Sequence, residues 1–195
     1  MKHNAKGHQR QQELYDTAAR LFAEQGFHAT SMRQLAQSLG LTKSSLYHYI
    51  ASKDELLFQI LDSYISDALV EIENLVADQS RPPDERLTQF IQFYARFYAG
   101  DRPRLVLLVN ELDSLQPERR QVLVEKERRY MAVLTGLLSE LKVTGRLKDM
   151  PEAVAAFAFF GMVHYTYKWF RPDGPASPSQ LADHFLEIFT RGVMR

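Results

Sequence analysis

Cysteine is absent from this sequence of 195 residues, which excludes disulfide bonds, thiolate metal ligands and a cysteine nucleophile. Net charge is absent as well, since 24 lysines and arginines balance 24 acidic residues. No apolar run approaches the roughly 20 residues that a transmembrane helix needs, and the run Ala153–Met162 is too short. The segment from Met1 to Gln12 lacks the apolar stretch of a signal peptide. We therefore expect a soluble, cytoplasmic protein.

Familiar catalytic and metal-binding motifs are also missing. The sequence contains no His-Glu-x-x-His, no glycine-rich phosphate loop and no Gly-x-Ser-x-Gly. No pair of potential ligands has the spacing that is diagnostic of a metal site. His164 and His184 fall on separate predicted helices, and each is interpreted as a packed or interfacial residue rather than a base. We therefore expect neither an enzyme nor a bound metal or cofactor.

The segment from Thr30 to Leu57 contains two short predicted helices and the start of a long one. Each helix begins at a residue whose hydroxyl group is suited to capping, namely Ser31, Thr42 and Ser52. The first and third of these caps have the capping-box spacing, with Gln34 and Glu55 as the partners. Gly40 is expected to end the first helix, because glycine readily adopts the left-handed conformation found there. The pattern predicts a helix-turn-helix.

The polar residues of these helices suit the DNA backbone and the edges of the bases. Hydroxyl groups, amines and helix N-terminal amides bind phosphate, and the second helix of such a pair enters the major groove. We expect Leu46 and Tyr49 to point into the core instead. The candidate DNA contacts are Ser31, Met32, Arg33, Thr42, Lys43, Ser44, Ser45, Tyr47, His48 and Lys53. The pattern alone leaves an alternative open, because any two capped helices joined at a glycine look similar.

The residues on both sides of the turn resemble one family. Upstream, ELYDTAARLFAEQGFHATSMRQLA is similar to the opening helix of the TetR family of bacterial regulators, and downstream SLYHYIASKDELL is similar to the end of its recognition helix. The resemblance implies an all-α homodimer that binds palindromic double-stranded operator DNA, most often as a repressor. It also implies a three-helix DNA-binding domain at residues 9–57 and a ligand-binding and dimerisation domain at residues 58–195.

The charge distribution agrees with a DNA-binding head. From Met1 to Lys53 there are seven basic and three acidic side chains, so the rest of the neutral chain is net acidic. A basic head on an acidic body would orient the molecule on DNA. The alternative is that this imbalance is an ordinary variation of surface charge.

Every later segment has helical periodicity, which predicts an all-α fold. Apolar residues recur at intervals of three and four from Leu56 to Val76, and Pro and Gly clusters separate the segments that follow. The further predicted helices are Asp84–Ala99, Arg104–Leu115, Glu118–Lys142, a helix from Pro151 to Phe170, and a last helix capped by Ser177 or Ser179.

The helix from Glu152 to Phe170 is apolar on nearly all sides, which is typical of a helix that is buried on two faces. By resemblance to the family, this helix and the last one pair with their counterparts in a four-helix bundle between two subunits. The candidate interface residues are Ala158, Gly161, Leu181, His184, Phe185, Ile188 and Phe189. The alternative is that these residues only fill the core of one subunit.

The aromatic body is expected to hold a small-molecule site, because such sites are apolar with a few polar groups. The segment from His164 to Pro175 resembles the C-terminal region of a TetR branch that responds to acyl-CoA thioesters, in which aromatic and basic residues precede Arg-Pro-Asp-Gly-Pro. By this resemblance the acyl chain enters the body and the CoA head lies near Lys168, Trp169 and Arg171. The other candidate ligand residues are Phe93, Tyr94, Phe97, Leu108, Phe159, Met162 and Tyr165. Alternatively, Trp169 is core and Arg171 and Asp173 only cap the helix.

The resulting hypothesis is a ligand-responsive transcriptional repressor that an acyl-CoA thioester releases from its operator. The long helix from Lys53 would connect the DNA-binding head to the ligand. The alternative is a TetR-type repressor that responds to a hydrophobic drug or another lipophilic molecule. Glu111 and Asp113 are the acidic candidates for binding a cationic drug, although charges on an exposed face explain them equally well.

Overall fold

The computed structural model describes the backbone of residues 2–195 and the side chains of residues 10–195. The helices are α1 (Lys2–Gln25), α2 (Met32–Ser38), α3 (Lys43–Tyr47), α4 (Lys53–Val76), α5 (Pro83–Gly100), α6 (Arg102–Asn110), α7 (Pro117–Val143), α8 (Glu152–His164), α9 (Thr166–Trp169) and α10 (Pro178–Val193). Within the described residues, the one β-type pairing is an isolated bridge between Leu147 and Met194. The prediction of an all-α fold is confirmed. None of the described helices combines the length and apolarity needed to cross a bilayer.

The predicted caps determine where the helices of the head begin. Ser31 and Gln34 form the reciprocal capping box, and the Thr42 hydroxyl accepts the Ser45 N–H at 3.1 Å. At α4, Ser52 accepts the Glu55 N–H as expected, but the Glu55 carboxylate accepts the N–H of Ala51 at 2.7 Å. The box is therefore displaced by one residue.

Two of the longer predicted helices are interrupted. Residues 104–115 form α6 and a separate 3-10 turn, Leu112–Ser114. Residues 151–170 form α8 and α9, which are separated at Tyr165. There the buried hydroxyl of Thr166 donates to the Val163 carbonyl at 2.6 Å, which gives that carbonyl a partner outside the helical ladder.

The structure shows where two helices of the body, α8 and α10, begin. Pro151 precedes α8 instead of occupying its first helical position. Ser177, and not Ser179, caps α10, and it forms a capping box with Gln180. The identity of the cap is set by which serine precedes the first helical turn.

Helices α1 to α3 pack on the start of α4 and form the head, while α4 continues into the body as one helix of 24 residues. In the body, α5 lies centrally and contacts α4, α7, α8 and α10. Polar contacts also join the head to the body. Arg104 of α6 donates to Asp16 of α1 at 2.6 Å, and the backbone N–H of Gln116 donates to Asp54 at 3.0 Å. These contacts therefore connect α6 and the start of α7 to the head, so that a displacement of either helix would act on it.

Candidate functional site

Most of the predicted DNA contacts are exposed to solvent, on α2, on α3 and at the caps of these two helices. The exposed members are Ser31, Arg33, Thr42, Lys43, Ser44, Tyr47 and His48, while Met32 and Ser45 are partly buried. Gly40 has a φ of 64°, which lets the chain turn tightly between α2 and α3. The Lys43 ammonium lies 5.8 Å from the centre of the Tyr47 ring, so these two candidates share one exposed patch.

Lys53 occupies a different position from the one predicted for it. Its ammonium group donates to the carbonyl oxygens of Phe27 at 2.6 Å, His28 at 3.2 Å and Thr30 at 2.9 Å. It also lies 4.5 Å from the centre of the Phe27 ring. An ammonium group has three donors, so all of them are engaged within the protein and Lys53 fastens the turn between α1 and α2.

Tyr49 was also assigned incorrectly, because its side chain is 47% exposed and not in the core. Leu46 is fully buried as expected, and Ile50 is buried in the place predicted for Tyr49. Leu46 and Ile50 are four residues apart, and the Ile50 N–H still bonds the Leu46 carbonyl at 3.2 Å. That spacing was the signal that could have identified Ile50.

The body contains a cavity of about 370 Å³ between α5, α7 and α8. Its lining residues are Tyr94, Glu127, Tyr130, Met131, Phe157, Phe160, Gly161 and His164. The Tyr94 hydroxyl and His164 Nε2 lie 2.9 Å apart, and the Tyr98 hydroxyl donates to that of Tyr130 at 3.1 Å. The site is thus mostly aromatic with a few polar groups, as expected of a small-molecule site.

Burial controls the protonation of the polar groups in the cavity. It lowers the pKa of His164 to about 4, so this imidazole is neutral near pH 7. It raises the pKa of Glu127, while the nearby charge of Arg120 opposes that change. Burial also holds the pKa of the Tyr94 hydroxyl well above its usual value.

Two stretches of this chain match known protein families. Residues 14–60 match the description "Bacterial regulatory proteins, tetR family", and residues 80–193 match "Tetracyclin repressor-like, C-terminal domain". The chain belongs to the TetR family. Members of this family are DNA-binding regulators, so the expectation that the chain is not an enzyme is confirmed.

Individual relatives of this TetR-family chain include regulators with named ligands or targets. It is 28% identical to the HTH-type transcriptional repressor KstR2 of Mycobacterium tuberculosis, over 95% of this chain and 94% of that one. It resembles the crystal structure of the TetR-family regulator PfmR from Thermus thermophilus, with a TM-score of 0.84, 31% identity and coverage of 93% and 99%. It also resembles AibR solved with isovaleryl coenzyme A and operator DNA, with a TM-score of 0.76, 29% identity and coverage of 92% and 97%.

Among the predicted ligand residues of this TetR-family chain, only Tyr94 lines the cavity. Phe93 and Phe97 stack on each other, and Phe97 stacks on Tyr64 of α4 with ring centres 4.8 Å apart. Leu108 and Phe159 are buried core residues, and Met162 is partly buried against the core. These residues lie outside the lining of the cavity, because periodicity identifies a buried face but not which buried residues border an empty space.

Helix α7 contributes three lining residues that were not among the predicted ligand residues, Glu127, Tyr130 and Met131. Their spacing of three and four places them on one helical face, which was an available signal. The acidic residues that were considered lie elsewhere. Glu111 accepts the Ser114 hydroxyl at 2.8 Å, and Asp113 pairs with Arg120 at 2.8 Å.

The predicted CoA-head residues lie on the surface, within α9 and just after it. Lys168 and Arg171 are exposed, Tyr165 is 61% exposed and Trp169 is 54% exposed, so the alternative of Trp169 as core is wrong. Tyr165 has a φ of −70° and a ψ of −11°, close to helical values. Its N–H bonds the Gly161 carbonyl at 3.1 Å. Gly161, Tyr165 and Trp169 therefore follow one face at intervals of four residues.

The predicted interface residues divide into two groups. Ala158, Gly161, His184 and Ile188 are exposed, whereas Leu181, Phe185 and Phe189 are buried within their own subunit. Phe189 packs on Phe159 with ring centres 5.5 Å apart. The three buried residues lie on the face of α10 that packs against the core of their own subunit. The sequence interpretation also missed Val154 and Phe157, which are 60% and 67% exposed.

Proposed function

We propose that this TetR-family protein is a transcriptional repressor that binds operator DNA as a homodimer and dissociates when an acyl-CoA thioester binds in the body. The observation that carries the proposal is the combination of an exposed, polar α3 with an aromatic cavity of about 370 Å³ in one chain. The resemblance to KstR2, named as a repressor, and to AibR, solved with a CoA thioester and DNA, supports each half.

The DNA-binding half rests on α3 and the residues before it. Thr42, Lys43 and Ser44 stand at the N-terminal end of α3, where hydroxyl groups and an amine suit phosphate or base edges. Tyr47 and His48 extend the exposed patch toward the end of the helix. A dimer would place two such helices in successive major grooves of a palindromic site.

The proposed dimer rests on exposed apolar residues of α8 and α10. Val154, Phe157 and Ile188 are each more than half exposed in one subunit. Apolar side chains at this density favour burial against a second copy. The small residues Ala158 and Gly161 would allow close helix approach at the same surface.

The ligand half assigns the acyl group to the cavity and the CoA head to the neighbouring surface. Gly161 borders the cavity, and Tyr165 and Trp169 continue its helical face. Trp169 offers a stacking surface for a purine, and Lys168 and Arg171 offer cations for phosphates. We expect Trp169→Ala combined with Arg171→Ala to abolish the response to thioester and leave operator affinity intact. A normal response in this double variant would contradict the assignment of the CoA head.

Coupling between the sites would follow the head-to-body contacts. A ligand that fits one spacing of the two heads shifts the population toward that spacing. If the spacing mismatches the operator, DNA affinity falls, and DNA must weaken ligand binding by the same factor. A coupling of about 1–3 kcal/mol, roughly 5- to 150-fold, is typical of such systems.

The first test of the ligand is a thermal-shift screen of the purified protein against CoA thioesters of different acyl groups, free CoA and the matching free acids. A ligand of the native state raises the melting temperature by mass action. We expect one class of thioester to stabilise the protein, while free CoA and the free acids do not. That thioester should then release the protein from DNA. Absence of a shift with every thioester would contradict this ligand class.

The DNA-binding half is tested by selecting sites from random duplex DNA and measuring affinity for the selected sequence. We expect a palindromic site, and we expect Lys43→Ala and Tyr47→Ala to weaken binding at least severalfold without changing ligand affinity. Arg96→Ala is the matched control, since it removes an exposed positive charge from α5. Unchanged affinity in both α3 variants would contradict the placement of the recognition helix.

A second candidate ligand is a lipophilic drug, and Glu127 is the observation that favours it. A partly buried carboxylate among aromatic rings is a suitable partner for a lipophilic cation. Adding aromatic and aliphatic ammonium compounds to the same screen separates the two ligand classes. Stabilisation by these cations alone would replace the thioester with a drug-like inducer and leave the DNA-binding proposal unaffected.

A further inference from the structure

Glu127 is the acidic residue among the lining residues of the cavity. Among the described residues, no side chain or backbone N–H within hydrogen-bond distance donates to its carboxylate, and no cation pairs with it. Arg120, whose charge acts on Glu127, is itself bound to Asp113 at 2.8 Å. The Glu127 carboxylate therefore borders the cavity with its acceptor oxygens available.

The neighbouring polar groups leave few donors for a ligand. The Tyr130 hydroxyl donates to the Ile65 carbonyl and accepts from Tyr98, so it is engaged on both sides. Tyr94 and His164 bind each other at 2.9 Å. Because His164 is a neutral imidazole, its second ring nitrogen is a donor or an acceptor according to the tautomer. The Glu127 carboxylate adds acceptor oxygens to the cavity and no donor.

We infer that the cavity selects a ligand whose buried part carries a hydrogen-bond donor, either a hydroxyl or an amino group, directed at Glu127. A plain hydrocarbon would cover the Glu127 carboxylate without replacing its bonds to water, which is unfavourable. A carboxylate on the ligand would face a like charge in a poorly solvated space. For an acyl-CoA ligand the inference rests on the proposed function, and the inducer is then a hydroxylated or amino-substituted acyl thioester.

The test compares CoA thioesters of equal chain length that differ at one position. The probes are decanoyl-CoA, 3-hydroxydecanoyl-CoA, 10-hydroxydecanoyl-CoA and the monothioester of decanedioic acid, each measured by calorimetry. We expect one hydroxylated probe to bind about 10- to 100-fold tighter than decanoyl-CoA, as for a hydrogen bond to a charged group. We expect the acid-terminated probe to bind most weakly.

Two variants of Glu127 separate recognition from a structural role. Glu127→Leu should remove the preference for the hydroxylated probe and bind decanoyl-CoA more tightly than wild type does. Glu127→Gln should relieve the rejection of the acid-terminated probe. The matched control is Glu125→Gln on the same helix, where the side chain is 62% exposed and paired with Arg128, and it should keep the wild-type order. Light scattering of each variant checks that the oligomeric state is unchanged.

Decanol, decylammonium and decanoate form a second arm that does not depend on CoA. If no thioester binds but decanol or decylammonium binds in a Glu127-dependent manner, the donor inference holds and the thioester ligand class fails. Equal binding of all thioesters, unaffected by Glu127→Leu, would overturn the inference while leaving the proposed function intact. If the Glu127 variants change the oligomeric state but not the probe preference, Glu127 belongs to a subunit contact and the donor inference is overturned. If no probe binds in either arm, both the donor inference and the proposed ligand class are overturned.

Discussion

Lys53 is the first residue of α4, and its side chain binds the turn that follows α1. Its three hydrogen bonds end on carbonyl oxygens of Phe27, His28 and Thr30. Burial lowers the pKa of this ammonium group, and the charge of Glu111 acts in the opposite direction. Carbonyl groups outside regular helices need such donors, so Lys53 contributes to the geometry of the head, and we expect it not to contact phosphate.

Replacing Lys53 with methionine tests this role, because methionine keeps the length of the side chain and removes the donors. We expect the free energy of unfolding in urea to fall by about 1–3 kcal/mol, since carbonyl groups lose charged partners. The salt dependence of operator binding should stay at the wild-type slope. Lys43→Met is the comparison, and its slope should fall by about one. If Lys53→Met lowers the slope of the salt dependence as much as Lys43→Met does, Lys53 contacts DNA phosphate.

His164 makes stability depend on pH in a defined window. Burial lowers its pKa to about 4 in the folded state, against an ordinary value of 6.5. Between these values the unfolded chain binds a proton that the folded chain excludes, so stability falls as pH decreases from about 6.5 to about 4. The change amounts to about 3 kcal/mol at 1.36 kcal/mol for each pKa unit.

Urea unfolding at a series of pH values measures this contribution of His164. We expect His164→Phe to lose the component between pH 4 and 6.5, while other acid-sensitive groups remain. His48→Gln is the control, because His48 is exposed in the head and should keep the wild-type profile. The same pH profile in wild type and His164→Phe would show that His164 is not buried in its neutral form.

At the scale of elements, local capping residues set where the helices start. Ser177 accepts the Gln180 N–H at 3.2 Å, and the Gln180 side chain accepts the Ser177 N–H at 2.8 Å. This capping box is short-range and has a recognisable sequence spacing.

Ser177→Ala and Ser179→Ala form a matched pair within the first turn of α10. We expect Ser177→Ala to reduce the free energy of unfolding by about 1 kcal/mol, because an N-terminal N–H loses its partner. Ser179→Ala should change it by less than about 0.5 kcal/mol, as is usual for exposed sites. Thermal or urea unfolding measures both values. Equal destabilisation of the two variants would contradict Ser177 as the cap.

At the scale of the whole molecule, the surface of α8 and α10 is the expected contact between two copies. Ile188→Asp should convert the dimer to monomers, since a charge at a packed apolar surface must lose its hydration. Light scattering measures the mass, and operator affinity should fall with the loss of the second head. Val143→Asp is the control, because Val143 is 86% exposed at the end of α7. A stable dimer with Ile188→Asp would place the interface elsewhere.

The contact between Asp16 and Arg104 is the other feature at this scale, since it joins the head to α6. We expect Asp16→Asn to reduce the factor by which ligand weakens DNA binding, while each affinity measured alone changes less. Titrations of DNA with and without saturating ligand give this factor. Glu73→Gln is the matched control, because it removes an ion pair between α4 and α7 within the body. An unchanged factor in Asp16→Asn would exclude this contact from the coupling.

Most of the fold could be predicted from the sequence, but less of the site could be. The helices and their caps follow from spacing of three and four residues and from local hydrogen bonds. The family of the head follows from the resemblance of its residues to TetR regulators. The cavity was predicted only as a class, and among the predicted ligand residues Tyr94 lines it. Glu127 escaped notice because a charged residue on a charged helix is most simply interpreted as exposed.

The sequence by itself determined the all-helical fold, the helix-turn-helix and membership of the TetR family, because these depend on neighbouring residues and on local patterns. Only the tertiary structure decided which buried side chains border a cavity, that Lys53 binds the turn after α1, and that Leu181, Phe185 and Phe189 face their own subunit. The physical reason is that periodicity specifies a buried face but not its neighbour. That neighbour is chosen by the packing of helices distant in sequence.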